Sequence, residues 1–265
     1  MLKVVLFGAG SPLSIAVRER LRPVITHVVM PRGCKAWTDQ AVDFAQAPEL
    51  TADLFVVASF PHMITPALIE KSRAGAVNLH PSLLPHLRGP DPLFWTYFND
   101  DREAGITLHV VTERLDAGDV LARHAVPLAR GRDVSDLYPE LATAGAAMIG
   151  NALESIVDGS AVRESQDESL ATQAPRADKV AIDFARWPSE RVWHVLSGLG
   201  SRRNDLLPVT HGRATAFEQT AAATPGRIEK HRGAYRVHCA DGWVDVAAAP
   251  LAARVKRVAR RLLRK

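Results

Sequence analysis

Cysteine is scarce in this chain. Its two cysteines, Cys34 and Cys239, lie far apart and have no His or Cys at ligand spacing. That is too few for a disulfide framework and gives no zinc pattern, so the expectation is a reducing cytoplasm and no metal. Long hydrophobic runs are missing as well. Nothing approaches the roughly 18–20 apolar residues of a membrane span, and Leu2 to Phe7 is too short for a signal peptide and leads straight into a glycine turn. Acidic residues are absent from one region in particular: residues 250–265 hold seven of the 33 Lys and Arg and no Asp or Glu. The net charge of +4 therefore sits in a tail, and the remaining body is mildly acidic. That excludes a diffuse nucleic-acid-binding face, and DNA is not an expected partner.

What is present is a core. Apolar residues make up 47% of the 265. The run Lys3 to Phe7 closes on Gly8-Ala9-Gly10-Ser11, the pattern of a buried parallel strand turning into a helix. Further strands are expected at Val24–Met30, Asp53–Ser59, Ala76–His80, Ile106–Val111 and Val120–Val126. Helices are expected at Ser14–Leu21, from Thr65-Pro66 through Lys71, and up to about Val157 with Gly159 as its C-cap. Strands alternating with helices imply an α/β domain with a largely parallel sheet over residues 1–160. Residues 161–180 are polar and aperiodic and read as a linker. Residues 181–249 read as a small β-rich domain, with a helix over Phe184–Leu199 and short strands around Ile228, Val237 and Val244. Residues 250–265 repeat apolar positions at Leu251, Val255, Val258 and Leu262, the pattern of an amphipathic basic helix.

The Gly8-x-Gly10 turn invites a dinucleotide-binding reading. Leu13 stands where the third glycine would fall, however, and no acid ends the second strand to hold a ribose. A tight strand-to-helix turn is the plainer reading. If functional, Gly10 and Ser11 would line an acceptor pocket or hold an anion at the helix N-terminus.

A second pattern carries more chemistry. Side chains at i and i+2 of a strand share a face, so Asn78 and His80 aim together at a strand's C-terminal end, where open α/β sheets bind their ligands. Pro81 stops the strand, and Ser82-Leu83-Leu84-Pro85 turns away from it. Further on, Glu113-Arg114-Leu115-Asp116-Ala117-Gly118 is a turn carrying a carboxylate. An amide, an imidazole and a carboxylate suit acyl transfer to an amine. The first two can donate to a developing oxyanion; the third can orient the imidazole and raise its pKa, or relay the amine proton.

The run Asn78-Leu-His-Pro-Ser-Leu-Leu-Pro85, then Arg88-Gly89, Gly105-Ile-Thr-Leu-His109 and Leu115-Asp-Ala-Gly-Asp-Val120 resembles the signature of folate-dependent formyltransferases. That family includes the glycinamide ribonucleotide, methionyl-tRNA and sugar N-formyltransferases. The resemblance implies a Rossmann-like formyltransferase fold and 10-formyltetrahydrofolate as donor, without a metal. By it, Asn78 and His80 polarise the formyl carbonyl. Asp116 keeps His80 protonated and guides a proton, through water, from the amine toward N10 of the folate. Phe60, His62, Met63 and Ile64 fall in the loop that resembles one edge of the pterin site, and Thr112, Glu113, Arg114 and Leu115 in the loop on its other edge. The Leu84–Pro85 bond is expected to be cis.

The acceptor is less legible. Gly10-Ser11 is followed by Pro12-Leu13, unlike the phosphate loop of the glycinamide ribonucleotide enzymes, which also lack a second domain. The span from Met30 to Asp53 lacks the longer basic insertion of the tRNA enzymes. The chain also begins at the first catalytic strand, without the N-terminal regulatory domain of the formyltetrahydrofolate hydrolases. By elimination the expected acceptor is a small amine, an amino-sugar nucleotide or an amino-acid-derived amine. Methionyl-tRNA and water, as in a hydrolase, are the alternatives. Arg88 would contact an acceptor phosphate or pair with Asp91 or Asp100. Trp95, within Phe94-Trp95-Tyr97-Phe98, would stack on a base or sugar or fill the core. The tail has three readings: docked on the body, lying on an anionic membrane, or touching tRNA phosphates. A second-domain sheet edge could pair with a twin, giving a homodimer.

Overall fold

The computed structural model describes residues 1–248 apart from 179, 201, 204, 208–210, 222 and 223. The basic tail lies outside the described residues. The chain divides into two compact units. One comprises Met1–Trp95, Glu103–Pro127 and Tyr138–Arg176; the other comprises Thr96–Arg102, Leu128–Leu137 and Ala177–Lys265.

The first unit is built on a seven-stranded sheet among the described residues. Its strands are β1 (Val4–Gly8), β2 (Ile25–Met30), β3 (Ala41–Asp43), β4 (Leu54–Ala58), β5 (Ala76–His80), β6 (Glu103–Val110) and β7 (Val120–Pro127). Their order is β3-β2-β1-β4-β5-β6-β7. β1 and β4 are buried at every position, as strands covered on both faces must be, and this is why they read as unbroken apolar runs. β3 to β5 pair in parallel, whereas β6 runs antiparallel to β5, and β7 to β6. The expected parallel sheet thus ends in an antiparallel ribbon. The order reverses between β1 and β4, which opens a crevice at their C-terminal ends.

Two helices carry ready sequence signals. α1 (Pro12–Leu21) starts at Ser11, whose side chain accepts the Ser14 N–H, with proline in the first turn. α2 (Pro66–Ile69) repeats the device with Thr65. β3 and a 3₁₀ turn at Phe44–Glu49, capped by Asp43, occupy the stretch after Met30 that showed no periodicity. α3 (Pro92–Phe98) and α4 (Val134–Asp158) complete the helices up to residue 158.

Residues 164–174, within the span expected to be a linker, form a strap on this unit. Val120 and Glu164 exchange backbone hydrogen bonds of 2.8 and 2.9 Å. Arg88 N donates to Thr172 O at 2.9 Å, and Ala174 N to Arg88 O at 2.6 Å. The strap has no apolar period because its polar side chains, rather than a hydrophobic face, do the anchoring.

In the second unit α5 (Ser189–Leu199) packs on an antiparallel sheet of β8 (His211–Gln219), β9 (Ile228–His231), β10 (Ala234–Cys239) and β11 (Gly242–Ala248), ordered β8-β11-β10-β9. Val192, Val195, Leu196 and Leu199 of α5 are buried, as are Val237, Cys239, Val244 and Val246. α5 begins later than the expected Phe184 because residues 184–187 form a turn ahead of Pro188. His194 of α5 is fully buried, stacks on Tyr97 and accepts the Gly131 N–H at Nδ1 from 2.9 Å.

Candidate active site

Pairing of β5 with β6 sets the site. Asn78 lies opposite His109 and His80 opposite Thr107. Thr107 is fully buried and locks the turn after β5: its hydroxyl donates to Ser82 O at 2.7 Å and accepts the Leu84 N–H at 3.1 Å. The Leu84–Pro85 bond is cis. The chain then reaches Gly89, whose φ of +123° and whose approach to Ala174 leave no room for a side chain; a Cβ there would sit 2.7 Å from Ala174 O.

Asp116 stands in the turn between β6 and β7 at φ +50°, a left-handed conformation uncommon for a residue with a side chain. Gly118 lets this turn fold against β6, since a Cβ would meet Val110 O at 2.0 Å. The carboxylate is buried among donors. Gly89 N–H donates to Oδ2 at 2.9 Å and Asn78 Nδ2 to Oδ1 at 3.4 Å. His80 Nδ1 and His109 Nε2 each lie 3.6 Å from it. Burial alone would raise its pKa. The His109 hydrogen bond, the two imidazoles and the Gly89 N–H outweigh burial and hold the carboxyl down at about 2.

His80 is buried and its Nε2 donates to Leu87 O at 2.8 Å, which leaves Nδ1 as the nitrogen turned to Asp116. Burial pushes its pKa below the ordinary imidazole value, and the Asp116 charge opposes this without reversing it. The resemblance implies Asp116 keeping His80 protonated; burial works against this and favours the uncharged imidazole.

The sequence reading did not single out His109 as a site residue. Its Nδ1 donates to Val110 O at 2.9 Å, and its Nε2 lies 3.1 Å from the Asn78 amide nitrogen and 3.6 Å from Asp116. Two imidazoles, an amide and an ionised carboxylate thus meet in one place. That set can donate to an oxyanion and exchange a proton with a neighbouring base or amine.

The other expected residues fall as follows. Phe60 packs edge-on against Phe7 and Phe44, and His62 stacks flat on Phe44 with centroids 5.1 Å apart. Ile64 is buried, while Met63 is 56% and Leu115 49% exposed, each on one of the two loops expected to flank a pterin. Thr112 donates to Arg114 O at 3.1 Å, Arg114 pairs with Glu168 at 2.6 Å, and Glu113 is exposed. Arg88 is buried and its guanidinium reaches Gln166 and Glu168. Trp95 Nε1 donates to Pro175 O at 2.7 Å, and its neighbours Phe94 and Tyr97 are buried.

Gly10 has φ +76° and Ser11 caps α1. At the strand reversal Tyr138 OH lies 2.6 Å from Ser59 Oγ and 3.4 Å from Ser11 Oγ, a hydroxyl cluster at the C-terminal ends of β1 and β4 that the sequence did not announce. Among the described residues no group of three or more His, Cys, Asp or Glu could hold a metal ion.

The fold and this constellation define an α/β protein with an amide–imidazole–carboxylate site beside its sheet. Residues 21–153, half of the chain, match the family model described as formyl transferase, and the chain belongs to that family. It is 36% identical over 156 residues to a methionyl-tRNA formyltransferase of Geobacter sulfurreducens, covering 58% of this chain and 49% of that protein. It is 26% identical over 228 residues to the methionyl-tRNA formyltransferase of Limosilactobacillus fermentum, covering 81% and 72%. The chain spans about half the length of the first curated relatives it matches. In fold it is similar to the N-formyltransferase from Helicobacter canadensis, solved with folinic acid and dTDP-3-aminofucose. There the TM-score is 0.71 over 94% of this chain and 99% of that one, at 15% identity, a likeness of fold alone.

Proposed function

We propose that this chain transfers a formyl group from 10-formyltetrahydrofolate to the primary amine of a small molecule, an amino-sugar nucleotide or an amino-acid-derived amine. The observation that carries the reading is the convergence of Asn78 and His80 on the ionised Asp116. The amine nitrogen attacks the formyl carbon and the carbonyl electron pair moves onto oxygen. The Asn78 amide donates to that oxyanion; as its charge grows His80 takes a proton from solvent, donates it toward the oxyanion from Nδ1, and returns it to solvent when the carbonyl re-forms. Asp116 guides the ammonium proton, through a water, to N10 of the folate. The C–N10 bond then breaks, releasing the formamide and tetrahydrofolate.

Donor binding falls to the loops bearing Phe60, His62, Met63 and Ile64 and bearing Thr112, Glu113, Arg114 and Leu115. The exposed Met63 and Leu115 offer apolar surface to a flat bicyclic ring, and the Helicobacter enzyme was solved with folinic acid. The acceptor falls to the strand reversal, where Gly10, Ser11, Ser59 and Tyr138 offer a helix N-terminus and hydroxyls to a sugar or phosphate. The near-complete fold match to an enzyme solved with an amino-sugar nucleotide supports that class.

Methionyl-tRNA is the second reading, favoured by the 36% identity to the Geobacter enzyme. Release of tetrahydrofolate, measured with a panel of nucleotide amino-sugars, amino acids and charged initiator tRNA, decides between them. Release dependent on a small amine supports the first reading and release with tRNA alone supports the second. Release without any amine makes the protein a hydrolase.

A further inference from the structure

The strap at residues 164–174 takes no part in the chemistry above, yet its side chains meet both loops that hold Asp116. Gln166 is the joint. Its Nε2 donates to Asp116 O at 2.9 Å and to Gly118 O at 2.7 Å. Its Oε1 accepts from Arg88 Nε at 3.1 Å and Arg88 Nη2 at 2.8 Å. The residue after Arg88 is Gly89, whose N–H holds the Asp116 carboxylate. A closed ring results: Asp116 carbonyl, Gln166 amide, Arg88 guanidinium, Gly89 N–H, Asp116 carboxylate. Every member but Gln166 belongs to a loop touching the site.

We infer that Gln166 is a positioning residue for formyl transfer, holding Asp116 at its left-handed backbone and keeping its carboxylate against Gly89, Asn78 and the two imidazoles. The inference rests on the formyltransferase reading for its kinetic consequence, but not for its structural one.

Both halves of the amide are needed. A carboxylate in its place would still accept from Arg88 but could not donate to the two carbonyls. The left-handed turn at Asp116 has a real cost, and such a conformation persists only where neighbours over-determine it. Gln166 supplies two of those constraints. The other strap contacts brace the same loops: Thr172 Oγ accepts the Leu87 N–H at 2.9 Å and lies 2.7 Å from His86 Nδ1, and Glu168 pairs with Arg88 at 3.0 Å and with Arg114 at 2.6 Å. Glu168 bonds no atom of Asp116 directly, which makes it the natural control.

The test uses the full chain with Q166E, Q166M and E168Q. Q166E keeps the acceptor for Arg88 and loses both donations; Q166M matches the length and offers neither. Two readouts are taken: kcat and KM for tetrahydrofolate release, and the Asp116 carboxyl titration by carbon NMR, assigned with D116N. Both Gln166 variants should lose kcat by about ten- to a hundredfold, with KM for the donor within about threefold. The Asp116 titration should move up, and E168Q should leave it in place. Gln166 variants with wild-type kcat and an unmoved titration would overturn the inference, as would E168Q shifting that titration equally. The NMR arm needs no substrate. If the wild type releases no tetrahydrofolate with any acceptor, the formyltransferase reading fails while a moved titration still upholds the role of Gln166. If Q166E does not fold, Q166M decides.

Discussion

The Gly89 amide donates to Asp116 Oδ2 at 2.9 Å, joining the loop after β5 to the turn after β6. A backbone N–H fixes a carboxylate without any rotamer to order, so this bond sets the position of the site's only carboxylate among the described residues. It also explains why a glycine stands there: the loop passes so close to Ala174 that a Cβ would lie 2.7 Å from its carbonyl, at φ +123°.

Gly89→Ala should therefore damage both folding and chemistry. Strain of this kind costs about 1–3 kcal/mol, and a shifted N–H would release Asp116. Urea unfolding should show that loss, and kcat should fall at least about tenfold. Wild-type stability together with wild-type kcat would mean the loop moves aside without disturbing Asp116.

His80→Ala and Asp116→Asn should each lower kcat by at least about a hundredfold while the proteins remain folded, as losses of acid–base or oxyanion groups do. Circular dichroism checks the fold and single-turnover kinetics the rate. Near-normal rates in a folded variant would remove that residue from the chemistry.

His109→Ala should cost less, about tenfold in kcat, because His109 acts through the Asn78 amide, 3.1 Å away, and lies 3.6 Å from Asp116. His109→Asn should recover part of the rate if its role is to accept from Asn78. An asparagine variant as slow as the alanine variant would point instead to proton transfer at His109.

Acid should destabilise the second unit through His194. Burial first, and the Arg130 charge second, push its pKa down to about 4, against about 6.5 in an unfolded chain. A depressed folded pKa means the unfolded state takes up the proton first. The contribution is complete above pH 6.5 and is lost as the pH falls toward 4, up to about 3 kcal/mol in all. Urea midpoints between pH 8 and 4 measure the slope, which His194→Gln should flatten. An unchanged slope would assign the acid sensitivity to another group.

The Asn78–His80 pair was legible because a strand's period of two is independent of tertiary context, and Asp116 because a carboxylate in a glycine turn is conspicuous. His109 was not. It sits in an apolar strand, and only the register of β6 against β5 sets it beside Asn78. Gln166 was hidden for the opposite reason: a polar, aperiodic stretch gives no signal of what it touches. Arg88 read either as a phosphate contact or as a partner of Asp91 or Asp100, and its guanidinium reaches Glu168 and Gln166 of the strap. β8 is rich in Ala and polar residues and carries little strand signal, so only its pairing with β11 reveals it.

The reversal of β6 has a consequence for folding. β1 to β5 all precede Asp116 in the chain, and they contain Asn78 and His80. The carboxylate arrives 38 residues after Asn78, on a ribbon that must fold back before it can dock. Catalytic competence thus waits on a long-range contact, the docking of the β6–β7 hairpin against β5.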